Sequence, residues 1–477
     1  MPSLSASRPW WRHPGPLLAL LLHVVVFGWL FQLRFPEGAW RQMERTLPAQ
    51  PTTAQWFHAI VAAHGYGGLV TWFFDTHGEI RLYRRYAEIA LHGIDPTLPP
   101  DAPRQGQLAL YRDVPMEYQP GALLAFVPPA LLGHDLHDYE TAFTLWCGVL
   151  YLGALLLGLR VLDREKPLHP RQASRALWWS LAFLLCFGGV AAARFDHAVP
   201  LACLLSLWAF QRAERRASLA WCAVAGALVA VGVMIKIVPG LALAAMLLWL
   251  CAAPPRPRWR PALALAAGCG CALLALHVAF LARWGDGYLH SYTYHLERGL
   301  QIESTYAGAI MAGHGFGAPL GVANVFRAYD LATPFTATLR MLAPFFFLVF
   351  LGITALRFAA VRRAATAPPR DFSVLVLTFM LLLAFILTNK VFSPQYLLWL
   401  GPLLAVALAA EKKLLGPALA VLFAAALSQA IFPHFYDALE HFHPAVVALL
   451  NLRNLTLLLL LAWLGWRLPD LLARPTA

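Results

Sequence analysis

Apolar residues run in long blocks along this chain, and polar residues collect in the gaps. Blocks lie near 17–33, 138–160, 176–193, 197–211, 218–235, 237–252, 262–283, 335–356, 372–388, 395–410, 414–432 and 445–466. A helix crosses a hydrocarbon core with roughly 20 apolar residues. The pattern therefore predicts an all-α integral membrane protein with about twelve transmembrane helices. Two shorter blocks, 57–74 and 119–132, read as helices lying on or dipping into the membrane interface.

The gaps alternate in character. Those near 161–175, 212–217, 253–261, 357–371 and 411–413 are all basic, with Arg164, Lys166, Arg171 and Arg175 in the first and Lys412 and Lys413 in the last. Basic loops stay cytoplasmic, so both termini are expected inside. Arg8 and Arg12 precede the first block without a small-residue cleavage site, which predicts an uncleaved first helix. The other face then holds 34–137, 284–334 and 433–444, with turns at 194–196, near 236 and at 389–394. An excursion of the length of 34–137 reads as a functional element rather than a connector. The whole of 1–477 reads as one polytopic domain in a cell membrane, the inner membrane in a bacterium.

Composition agrees. The chain is 59% hydrophobic and 13% charged, about half the charge of a soluble domain. The net charge of +12 belongs to the cytoplasmic loops rather than to a nucleic-acid surface. The seven cysteines lie in or beside apolar blocks with no disulfide or zinc spacing, and Cys269-Gly270-Cys271 reads as small residues on a packed helix face.

Ionisable residues at membrane depth are expensive and mark function. Asp75, Glu79, Glu117, Arg194, Asp196, Lys236, His295, Arg298, Glu303 and Lys390 all fall on the outer face, from many helices. Each has a plainer reading. Asp75 at a helix end pairs with Arg81 or Arg84, Glu117 with Arg112, and the cations snorkel to headgroups. Lys236, between Ile235 and Ile237, needs a partner, for which a phosphate or Asp196 serves. Ser393-Pro394-Gln395-Tyr396 reads as a capped helix start, or as side chains that hydrogen-bond a sugar. Arg453, in the last block, reaches a cavity or the outer interface. Together the set suits transfer from a phosphate leaving group. Cations stabilise the departing anion, and a carboxylate takes the proton of the attacking hydroxyl. No metal-ligand cluster and no cofactor motif is present in the sequence.

The string from Asp75 through Tyr83-Arg84-Arg85-Tyr86, Gly93, Pro96 and Tyr111-Arg112-Asp113-Val114-Pro115-Met116-Glu117-Tyr118 resembles the first outer loop of GT-C glycosyltransferases, most closely family 87. Further pieces follow in order: Arg194-Phe195-Asp196, Gly232 to Pro239, His295 to Ser304 with Gln301, and Lys390 to Trp399. The resemblance implies a GT-C fold, Asp75 as catalytic base, and Glu117, Tyr118, Arg194, Asp196, Lys236, His295, Arg298, Gln301, Glu303, Lys390, Gln395 and Tyr396 around the substrates. It implies a polyprenyl-phosphate sugar, mannose-like, as donor and a lipid or glycan as acceptor. The chain departs from the family pattern at Gln119, where a proline is usual, and in the roughly 40 residues between Leu33 and Asp75. Rival readings are a twelve-helix secondary transporter, which would hold polar sites at the midplane, and a lipid-linked glycan ligase or flippase, which would need no base at Asp75.

Overall fold

The computed structural model describes residues 9–32, 79–133, 135–163, 167–252, 257–313, 320–325, 328–364 and 372–472, with positions 55, 58–62 and 65. Asp75 and most of the 57–74 block lie outside them.

Every one of the twelve long apolar blocks coincides with a helix among the described residues. They are Pro14–Gln32, Leu136–Asp163, Pro170–Phe187, Ala198–Arg216, Leu219–Ile235, Gly240–Cys251, Trp259–Trp284, Thr336–Ala364, Ser373–Thr388, Gly401–Ala410, Leu415–Gln429 and Pro444–Leu472. Among the described residues, five helical stretches are long and apolar enough to cross a membrane: Leu136–Asp163, Trp259–Glu297, Thr336–Arg363, Lys412–His434 and Pro444–Leu471. The remaining apolar helices are shorter. The chain is an all-α membrane protein, with one departure from the helical reading. Gly321–Val325 and Ala328–Ala332 pair as an antiparallel hairpin in the middle polar loop.

The faces follow the solvent. On Trp259–Trp284, Leu263, Leu274 and Val278 point outward, and on Thr336–Ala364 so do Met341, Leu348 and Leu356. Polar groups buried between the helices are costly unless paired, and a cluster on the first three helices shows such pairing. His23 bonds Ser180, and Tyr151 bonds the same hydroxyl at 2.6 Å. The 119–132 block forms a turn at Pro120–Ala122 and a helix at Leu123–Ala130. Phe126 and Ala125 face the protein, whereas Leu124, Leu131 and Leu132 face out.

Without water to drive them together, membrane helices associate through small residues that bring backbones close. Leu219–Ile235 and Trp259–Trp284 pack this way. A Cβ on Gly226 would strike the Leu265 carbonyl and one on Gly268 the Ala223 backbone, while Gly270 faces open space. The packed-face reading of Cys269-Gly270-Cys271 therefore holds only for Cys269, which is buried; Cys271 is exposed, because successive helix positions turn by about 100°. All seven cysteines are free thiols. Gly268→Val should destabilise the detergent-solubilised protein by about 1–3 kcal/mol in thermal unfolding, whereas Gly270→Val should be close to neutral. Equal effects would contradict this packing.

Candidate active site

One cavity of about 1270 Å³ gathers residues from six separate connections. Glu79, Glu117 and Tyr118 come from the first, then Arg194, then Lys236, then Tyr294 to Glu303, then Ser393 to Tyr396, and last Phe432 and Tyr436. Between successive visits the chain runs out along one long helix and back along another. All six connections thus share one end of the bundle.

The anchor lies at Asp196. It is 1% exposed, and its Oδ1 accepts from Lys236 Nζ at 2.6 Å and from Trp399 Nε1 at 2.6 Å. The sequence builds this junction from three interrupted helices. Arg194 is extended before the short turn Phe195–His197, Lys236 is extended after Ile235, and Pro394 opens the turn that carries Trp399. The ammonium is boxed by the rings of Phe195, Tyr396 and Trp399 at 5.1, 5.3 and 5.2 Å. Lys236 is therefore paired with Asp196, and its box faces the cavity. Asp196 itself stands behind Lys236 and does not line the cavity.

The first loop is held rigidly against this junction. Arg85 bonds buried Asp95 at 2.8 and 2.6 Å, and Gln105 bonds both backbone groups of Asp95. Gly93 has φ +68°, and a Cβ there would strike the Gly106 carbonyl. Tyr111 donates to the Tyr118 carbonyl at 2.7 Å. Gly121 packs on the Met234 and Ile235 backbone, just ahead of Lys236, where a Cβ would not fit. Arg112 pairs with Asp113 at 2.8 Å rather than with Glu117, because the carboxylate next in sequence is the nearer partner. Donation from the Arg112 guanidinium and the Ala109 backbone N–H, with Arg104 beside them, holds the Asp113 carboxyl down at about 2.

The middle loop is stapled as an extra strand. Ile302 N donates to Tyr329 O at 3.0 Å, Leu331 N to Leu300 O at 2.7 Å, and Gln301 N to Lys390 O at 3.0 Å. Gly299 N donates to Asp330 at 3.0 Å. This presents Arg298, Gln301 and Glu303 to the cavity. Arg298 is 9% exposed, not a solvated loop residue. Ser393 does not cap the following turn; its hydroxyl accepts from Gln301 Nε2 at 3.2 Å. Lys390 is absent from this cavity. Its ammonium is drawn away to the Leu296 carbonyl at 2.8 Å, and it lines a neighbouring cavity of about 1110 Å³ with His295, Arg340, Met341, Phe347 and Phe385. His295 borders both cavities. Burial, with Arg340 and Arg298 nearby, holds the Lys390 ammonium down at about 8.

Several charges cancel within the protein. Arg194 pairs with Glu79. Arg453, wholly buried, bonds Glu303 Oε2 at 2.9 Å and the Glu303 carbonyl at 2.7 Å, which settles where that arginine of the last helix reaches. Two groups remain. Arg298 has Nε and Nη2 without partners, its Nη1 touching only the Tyr294 hydroxyl at 3.4 Å. Glu117 has no ion-pair partner among the described residues, and it borders this cavity and a third one of about 1100 Å³ on the other side of Tyr294.

The cavity thus contains Glu117, Tyr118, Arg194, Lys236, His295, Arg298, Gln301, Glu303, Gln395 and Tyr396 of the expected set, leaves Asp196 behind its wall and Lys390 next door, and Asp75 falls outside the described residues. Tyr294, Tyr329, Phe432 and Tyr436 also line it and were not singled out in sequence. Their only sequence signal is an aromatic density in polar connections, as in Phe432-Pro433-His434-Phe435-Tyr436.

A membrane-embedded helical bundle with a mixed-charge cavity at one end fits a transferase that works beside lipid. The family model of glycosyltransferase family 87 matches residues 117–385, more than half of the chain, and the protein belongs to that family. It is a membrane glycosyltransferase. A search of the curated proteins found no match.

Burial pushes the Glu303 carboxyl up, and Arg453 and Arg194 pull it back, to about 7 against an ordinary 4.5. Between those values the folded state holds a proton that the unfolded chain has released. Stability from this group is therefore greatest below about 4.5 and falls as pH rises through about 7. Melting curves should show wild type losing stability against Glu303→Gln over that window; parallel curves would contradict it.

Proposed function

We propose that this glycosyltransferase moves a sugar, mannose-like, from a polyprenyl phosphate to a hydroxyl of an extracytoplasmic lipid or glycan, with inversion. The reading takes all twelve helices as spans, both termini as cytoplasmic and the cavity as extracytoplasmic. It rests chiefly on Arg298, a buried guanidinium with two unpartnered nitrogens in the wall of the main cavity. Such a group suits a phosphate, to which arginine offers paired donors. The neighbouring cavity meets the main one at His295 and is walled by Met341, Phe347 and Phe385, which suits an apolar tail attached to that phosphate.

In the proposed reaction the acceptor oxygen attacks the anomeric carbon on the face opposite the phosphate. Asp75 takes its proton. The bond from that carbon to the phosphate oxygen breaks, and polyprenyl phosphate leaves as an anion. Arg298 and Lys236 stabilise the charge gathering on it. Glu117, with Tyr118, Gln395 and Tyr396, holds sugar hydroxyls. Glu79, four residues after Asp75 in sequence, lines the cavity, which supports Asp75 as base. Family membership favours this reading over a secondary transporter or a lipid-linked glycan ligase.

The test is transfer by the purified full chain in nanodiscs, with labelled polyprenyl-phosphate sugars. Asp75→Asn should lower turnover by about 10²–10⁴-fold while donor still binds, and Glu117→Gln should mainly weaken sugar binding. Activity retained in Asp75→Asn but lost in Glu117→Gln would move the base to Glu117. No turnover with any such donor would overturn the donor class.

A further inference from the structure

The far end of the bundle holds a second built site. The helix Ala198–Arg216 starts beside Asp196 and runs 19 residues, about 28 Å, before reaching it. There a cavity of about 790 Å³ opens between helices, walled by Leu162, Leu204, Leu207, Phe210, Leu375 and Val406. Its rim is polar. Glu214, Arg215 and Trp249 line it, and Glu214 Oε2 accepts from Arg258 at 2.7 Å and from Trp249 Nε1 at 3.1 Å.

Arg362 reaches the rim residue Trp249 from another helix. Its guanidinium stacks over the Trp249 ring at 4.3 Å, the side chain is 6% exposed, and Nε and Nη1 have no partner. Burying a charge with donors unmet is costly, and a bound anion removes that cost. Two arginines, Arg258 and Arg362, stand beside the one carboxylate Glu214, so the local balance is positive. The other Glu214 oxygen, Oε1, is buried and unpartnered, an acceptor for a hydroxyl. An apolar chamber next to an unmet guanidinium and an unmet carboxylate oxygen matches one ligand chemistry: an acyl chain, a phosphate and a headgroup hydroxyl.

We propose that this site holds an anionic phospholipid with a hydroxyl-bearing headgroup. Its acyl chain occupies the cavity, its phosphate meets Arg362, and its headgroup hydroxyl donates to Glu214. Basic pockets between membrane helices bind lipid headgroups in this way. The site is separate from the sugar-transfer cavity, and the inference is independent of the donor assigned there.

Native mass spectrometry of the full chain tests it, with phosphatidylglycerol against phosphatidylcholine in the same micelles. Wild type should retain phosphatidylglycerol preferentially, by about tenfold, and Arg362→Gln should lose that preference. Arg258→Gln, at a half-exposed position, should weaken it and serves if Arg362→Gln does not fold. Arg467→Gln removes an exposed charge paired only with Asp470 and should keep the preference. Equal retention of both lipids by wild type, unchanged preference in Arg362→Gln and Arg258→Gln, or equal loss in Arg467→Gln would overturn the proposal. So would complete displacement of the lipid by inorganic phosphate, which would make this a simple anion site.

Discussion

The buried Asp196 carboxylate is the constraint on which the site depends. An aspartate or a lysine alone at this depth would be strongly destabilising, since removing either partner of a buried pair leaves an uncompensated charge. Paired, with the Trp399 indole on the same oxygen, they tie three chain segments into one junction. Those segments are breaks between helices, and each interruption frees backbone that must find partners. The junction thus fixes where three of the six cavity-lining connections lie, and Phe195, Tyr396 and Trp399 pack around it.

A second buried pair does the same on the opposite wall. Arg453 grips both the side chain and the carbonyl of Glu303, and so attaches the last helix to the middle loop. The hairpin and Lys390's carbonyl hold the rest of that loop. With these internal pairs satisfied, the charges that face the cavity unmatched are few. Arg298 and Glu117 stand out because, among the described residues, the fold gives neither an ion-pair partner. A transferase needs this asymmetry: fixed charges where the protein must be rigid, open ones where substrate binds.

Much of this was legible in the sequence. Twelve apolar blocks became helices because length and hydropathy leave a membrane segment little choice. Alternation of basic and aromatic gaps separated the connections into two sets, and one of those sets does meet in a single cavity. Individual partners were harder. Lys236 had two candidates, and Asp196, 40 residues away in sequence, is the one it meets. Lys390 sat in the right connection but turns to a backbone carbonyl, a contact no side-chain pattern reveals. Arg112 chose its neighbour Asp113, which left Glu117 for the cavity. Tyr294 and Tyr436 had no motif around them, because their role comes from chain segments far apart in sequence. The strand pairing of Leu300–Ile302 was invisible too, since a short hairpin in a polar loop leaves little periodicity.

The central claim is that the main cavity recognises a phosphate carried on an apolar chain. Direct titration of the purified protein with a polyprenyl monophosphate and with the matching polyprenol tests this without catalysis. The account predicts binding of the phosphate at least about tenfold tighter than of the alcohol, and loss of that difference in Arg298→Gln. Equal affinity for the two lipids, or an undiminished difference in Arg298→Gln, would contradict it.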